Sequence, residues 1–174
     1  NLWKFNYDDV SSFGDVSLLN TSWIDASSGR SQNSNFSSSG IKIKGQNIII
    51  RDESVVLMQN QSNNIVGEIK LDAVDSIRIS KVKIDPVPII PGGLISETVG
   101  NAEGSNIRLD APKVSLLEGG SIIARTFGPY KAGDIFVSSS DKLELVGASV
   151  NDIPPVLSNI SNIASNIGRT GTIN

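Results

Sequence analysis

An apolar-x-apolar triplet following a small or polar residue recurs along this chain and constrains its fold more than any other feature. The copies are Ile41-Lys42-Ile43, Ile69-Lys70-Leu71, Ile107-Arg108-Leu109 and Ile135-Phe136-Val137, with a fifth opening at Ile173. Successive copies start 28, 38, 28 and 38 residues apart, so 66 residues separate every second copy. A fixed repeat of about 20–50 residues marks a solenoid, propeller or array. Each unit holds a second apolar stretch, with Ile48–Ile50 matching Val114–Leu116 and Ile77–Ile79 matching Leu143–Leu145. A third follows a turn, where Ser54–Leu57 is set against Ser121–Ala124 and Ser22–Ile24 takes the same place. Val16–Leu19 resembles Val114–Leu117 and carries the pattern toward the N-terminus.

Alternation with period two puts Ile41 and Ile43 on one face and Lys42 on the other. Strands of about three to five residues are too short for free hairpins. Stacked on equivalents above and below, every inward Ile, Leu or Val meets its counterpart one rung away. The sequence therefore predicts an all-β parallel β-helix of about five coils, on the order of 25 Å long at ~4.8 Å per rung. Residues 1–15 read as an irregular N-terminal edge, with Trp3, Phe5, Tyr7 and Phe13 at near-alternating spacing, and residues 16–174 as the repeat region. Trp23 is expected in the core, opposite Ile122 or Ile123. Residues 156–168 place apolar residues three and four apart, but their Ser and Asn content and the repeat favour loop and strand over helix.

The coils at 41–67 and 107–133 are compact, and those at 69–106 and 135–172 are long. The extra length carries proline, at 84–93 and 152–156, and proline nitrogens cannot donate to a ladder. Both stretches are read as loops leaving the stack between the second and third strands. Insertions at equivalent places emerge on one side of a solenoid, where they serve either for binding or as tolerated spacers. Residues 28–40 form a polar return loop, and the sequons at Asn20, Asn35 and Asn60 follow from a Ser- and Asn-rich composition.

Histidine and cysteine are absent. That removes the usual general base, the usual zinc ligand and any thiol nucleophile. Net charge is −3 with no basic stripe interleaved with aromatics, so nucleic acid is not an expected partner. No apolar run is long enough to span a membrane. No signal peptide is visible, and both ends read as falling within a longer chain. A β-helix enzyme would need acidic and basic side chains on one exposed strand face. The candidates are Asp72, Asp75, Asp110, Asp134 and Asp141, with Arg78, Arg108 and Arg125. At the 66-residue period Asp75 meets Asp141 but Asp72 meets Ser138, so one carboxylate is expected to stack. Turn-capping and solvated positions account for these residues better than catalysis does. No catalytic, cofactor-binding or metal-binding residue is assigned.

The order of Ser22–Asp25, Gly40–Ile43, Gly67–Leu71, Gly93–Gly100, Gly119–Gly128 and Lys131–Val137 resembles the repeat region of large filamentous-haemagglutinin-like exoproteins, especially cyanobacterial ones. The resemblance runs over roughly residues 14–174. It implies a right-handed coil, export through an outer-membrane translocator of the two-partner secretion type, and residence outside a Gram-negative cell or on its surface. It implies a non-enzymatic shaft, with glycans or cell surfaces as candidate partners. The Asn-Pro-Asn-type motifs of the family's secretion domain are absent here. A carbohydrate-active enzyme and a passive structural protein are the alternatives.

Overall fold

The computed structural model describes residues 9–28, 40–64, 67–81, 92–149, 154–165 and 167–174. In chain order the strands are β1 (Val16–Leu18), β2 (Trp23–Asp25), β3 (Ile41–Ile50), β4 (Val55–Asn60) and β5 (Ile69–Ser80). They continue with β6 (Gly93–Thr98), β7 (Ile107–Asp110), β8 (Lys113–Leu117), β9 (Ser121–Thr126) and β10 (Ile135–Ser138). The last four are β11 (Lys142–Val146), β12 (Ala148–Ser149), β13 (Val156–Leu157) and β14 (Asn159–Ala164). No helix occurs among the described residues. One parallel sheet runs β1-β3-β5-β7-β10, with β8 pairing both β5 and β11. The other runs β2-β4-β6-β9-β14, also parallel throughout. The molecule is a right-handed parallel β-helix of about five coils, the hand that parallel crossovers almost always take.

The triplets form one column. Ile41 pairs with Ile69, Ile69 with Ile107, Ile107 with Ile135, and Ile135 bridges Ile173. The second strands stack likewise, in the series Val16, Ile48, Ile77, Val114, Leu143 and the series Leu18, Ile50, Ile79, Leu116, Leu145. In the middle rungs these side chains are wholly buried. Leu143 and Leu145, in the same columns on β11, are 50% and 43% exposed, since among the described residues no strand pairs with the far side of β11.

Three sequence expectations need correction. First, the strands are not all short: β3 and β5 run unbroken through the first and second stretches of their coils. Pro112 separates β7 from β8, since its nitrogen cannot donate. The longer spacing in β5 is absorbed by a register shift between Gly45 and Asn47. Second, the third strands pair one residue later than expected, Val55 and Ser121 both flanking Gly93, which restores the 66-residue period. Third, Trp23 is 49% exposed, at the end of the series Val55, Gly93, Ser121, and the inward position belongs to Ile24. A one-residue slip reverses every side chain on a pleated strand, so the second error produced the third.

Val156–Leu157 and Asn159–Ala164 are strands, and the second pairs parallel with β9 as the repeat required. Residues 9–15 contain no strand, and residues 1–8 of the expected N-terminal edge lie outside the described residues. The proline stretch at 84–93 lies outside the described residues except for Gly92 and Gly93, as do Trp3, Phe5, Tyr7 and the Asn35 sequon. Asp152 and Ile153 of the second proline stretch also lie outside the described residues; the strands on either side, β12 and β13, pair antiparallel between the second and third strands of their coil. The Asn60 sequon is structural: the side chain is buried, and its Oδ1 accepts from the Ser62 N–H and hydroxyl while its Nδ2 donates to the Asn64 carbonyl.

Gly93 holds φ at 132°, and a Cβ there would come within 2.0 Å of the Ser121 carbonyl oxygen. Gly93→Ala should therefore destabilise the stack although it fills no core position. Leu109→Ala should cost about 2–5 kcal/mol through the cavity it leaves. Urea unfolding monitored by far-ultraviolet circular dichroism would measure both; wild-type midpoints would overturn this account of the core.

Candidate functional site

The outward columns decide what the surface offers. On the first-strand face the series are Glu68, Asn106, Asp134; then Lys42, Lys70, Arg108, Phe136; then Lys44, Asp72, Asp110, Ser138. Asp72 stacks on Asp110 of the next rung, not on Ser138. The sequence reading compared residues 66 apart, which are two rungs away. The adjacent rung lies 38 residues on, and that spacing joins Asp72 to Asp110.

Most of the candidate groups are held by a partner. Lys44 Nζ lies 3.3 Å from Asp72, and Gln46 Nε2 donates to Asp75 at 2.6 Å. Asp141, largely exposed, faces Lys113 at 3.7 Å, and Pro112 occupies the rung between Asp75 and Asp141. Arg108 lies 3.7 Å from Glu68, with its guanidinium 4.2 Å from the Phe136 ring centre. On the other sheet, Arg125 grips Glu97 through Nε and Nη2, at 2.6 and 2.5 Å. Glu97, nearly buried, also accepts from Gln59 Nε2 at 2.6 Å. Arg78 is outward on β5, in the column of Ile49, Ser115 and Glu144. Asp110 is exposed.

These contacts join one rung to the next. Lys44 to Asp72, Glu97 to Arg125 and Lys113 to Asp141 each span 28 residues, while Gln59 to Glu97 and Asp134 to Thr172 span 38. Sequence reasoning missed these staples, although complementary side chains at the repeat spacing were a visible signal. Chemically they fix register; they do not gather an acid and a base around one substrate atom.

Asp134 has the most complete set of partners. Burial pushes its carboxyl up, but Lys131 Nζ at 2.8 Å, the Thr172 N–H at 2.7 Å and the Thr172 hydroxyl at 3.0 Å outweigh that and hold it below the ordinary carboxylate value. Glu144 is lowered chiefly by the Lys142 ammonium at 3.0 Å, against an opposing desolvation, with the Ser115 hydroxyl and the Arg78 charge assisting. Among the described residues no group of three or more carboxylates is placed to hold a metal ion, and no helix is long and apolar enough to cross a membrane. Comparison of the chain with protein-family models, curated proteins and solved structures returns no match.

Two predictions test the staples. Arg125→Met should cost about 3 kcal/mol by stranding a nearly buried carboxylate. Adding Glu97→Gln should restore part of that, which a double-mutant cycle of urea unfolding would show as coupling. Because the folded-state pKa of Asp134 is depressed, its contribution is present above the unfolded value and lost as pH falls through the folded one. Protection at Thr172 and Asn174, meaning exchange measured against the intrinsic rate at each pH, should therefore fall on acidification, and Asp134→Ala should already lack it at neutral pH. Unchanged exchange in that variant would dismiss the staple.

Proposed function

We propose that the chain is a non-enzymatic, β-helical shaft segment of a large secreted exoprotein associated with the outer surface of a Gram-negative cell and exported by two-partner secretion. One observation carries this reading: several outward charged side chains, among them Lys44, Glu97 and Lys113, pair with an opposite charge on the neighbouring rung, as a load-transmitting rod requires. The motif order that resembles filamentous-haemagglutinin-like repeats supports the same reading. The shaft either holds a distal part away from the cell or adheres through its own surface.

A carbohydrate-active β-helix enzyme is the second reading, favoured by the stacking of Asp72 on Asp110. Paired carboxylates on adjacent strands suit acid–base work on a glycan. The Lys44 ammonium 3.3 Å from Asp72 argues against it, because that carboxylate already has a cationic partner.

Antibody labelling of intact source cells, with protease added outside, is the deciding experiment. Surface labelling and cleavage without lysis are expected; a chain protected until lysis would overturn the exoprotein reading. Release of new reducing ends or unsaturated products from acidic polysaccharides, abolished by Asp72→Asn or Asp110→Asn, would establish the enzyme instead.

A further inference from the structure

The parallel register places three cations in one outward column. Lys42 is paired with Lys70, and Lys70 with Arg108, on consecutive rungs. Rungs are ~4.8 Å apart, so the charges form a line on the order of 10 Å long. Like charges directly opposite one another destabilise a sheet. Elsewhere on this surface cations face carboxylates one rung away, as Lys44, Lys113 and Arg125 do. Lys42 and Lys70 reach no carboxylate or hydrogen-bond acceptor among the described residues. Arg108, by contrast, is oriented by the Phe136 ring stacked on its guanidinium and by Glu68. A positioned guanidinium loses less freedom on meeting an anion than a free one does.

We infer that the Lys42, Lys70, Arg108 column is a binding strip for an acidic polysaccharide strand lying along the helix axis, its carboxylate or sulfate groups meeting successive rungs. The flanking columns decide the class of partner. Glu68 and Asp134 stand on one side, and Asp72 and Asp110 follow Lys44 on the other, each two residues away along the strands, about 7 Å. A membrane or a nucleic-acid duplex would spread its anions over those carboxylates and be repelled. A single strand with one line of anionic groups fits between them. The inference deepens the surface-shaft reading and rests on it for where such a glycan would be met.

The test uses purified chain in affinity electrophoresis through polygalacturonate, dextran sulfate and neutral dextran, over a series of salt concentrations. Retardation by one or both acidic polymers, lost with added salt and absent with neutral dextran, is expected, and the two acidic arms separate carboxylate from sulfate recognition. Lys42→Gln with Lys70→Gln should weaken binding on the order of tenfold and flatten its salt dependence. The urea midpoint of that variant should hold or rise, because a like-charge contact is removed. Lys113→Gln with Lys142→Gln, which removes a cation pair already facing carboxylates, should leave binding unchanged. No retardation of the wild type, equal losses in the two double variants, or equal binding of single-stranded poly(dT) would each overturn the strip. Export is read on cells and binding on purified chain, so either can fail alone.

Discussion

Parallel backbone pairing between identical positions of successive coils is the constraint on which everything else here depends. Once Ile41 pairs with Ile69, the next pairs follow in step, and each inward side chain meets an apolar counterpart above and below. The columns are broad enough to exclude water, and a slip by one residue would turn the whole apolar set outward. The cost of that slip is why a repeat tolerates coils of two lengths. The extra residues of the long coils fall between their second and third strands, and the third strand of each long coil pairs in the same register as its neighbours. The bulge at Gly45–Asn47 is a small version of the same accommodation inside a sheet.

The same register organises the surface. A side chain's neighbours across the ladder are set by residues 28 or 38 positions away, not by those beside it in the chain. Opposite charges at that spacing become staples, as Glu97 and Arg125 do between β6 and β9. Like charges at that spacing become arrays, as Lys42, Lys70 and Arg108 do. A β-helix therefore writes linear features on its exterior, and such features match elongated partners. Asp134 shows how tightly a corner is tied: its carboxylate reaches back to Lys131 and forward to the Thr172 backbone and hydroxyl.

Much of the architecture was legible because hydrophobic periodicity and repeat spacing are both written locally. The anchor column came out in the expected pairs, and the second-strand columns did as well. The third strand was misread by one residue because Ser54 and Ser121 look alike as strand openers, yet Val55 is the partner column of Ser121. That slip alone moved Trp23 from the surface to the core on paper. The surface was misread for another reason. Comparing Asp72 with Ser138 and Asp75 with Asp141 skipped a rung, hiding the contact of Asp72 with Asp110 and the staples between neighbours.

By itself the sequence determined the all-β class, the coil number, the inward columns of the first and second strands and the proline-bearing segments where the long coils carry their extra residues. These follow from the period-two alternation of apolar side chains and from proline's missing donor. Only the tertiary structure decided where first and second strands fuse, which residue of the third strand faces inward, and which charges stand one rung apart. Those depend on register across the ladder, and a slip of one residue, nearly invisible in composition, exchanges the two faces of a strand.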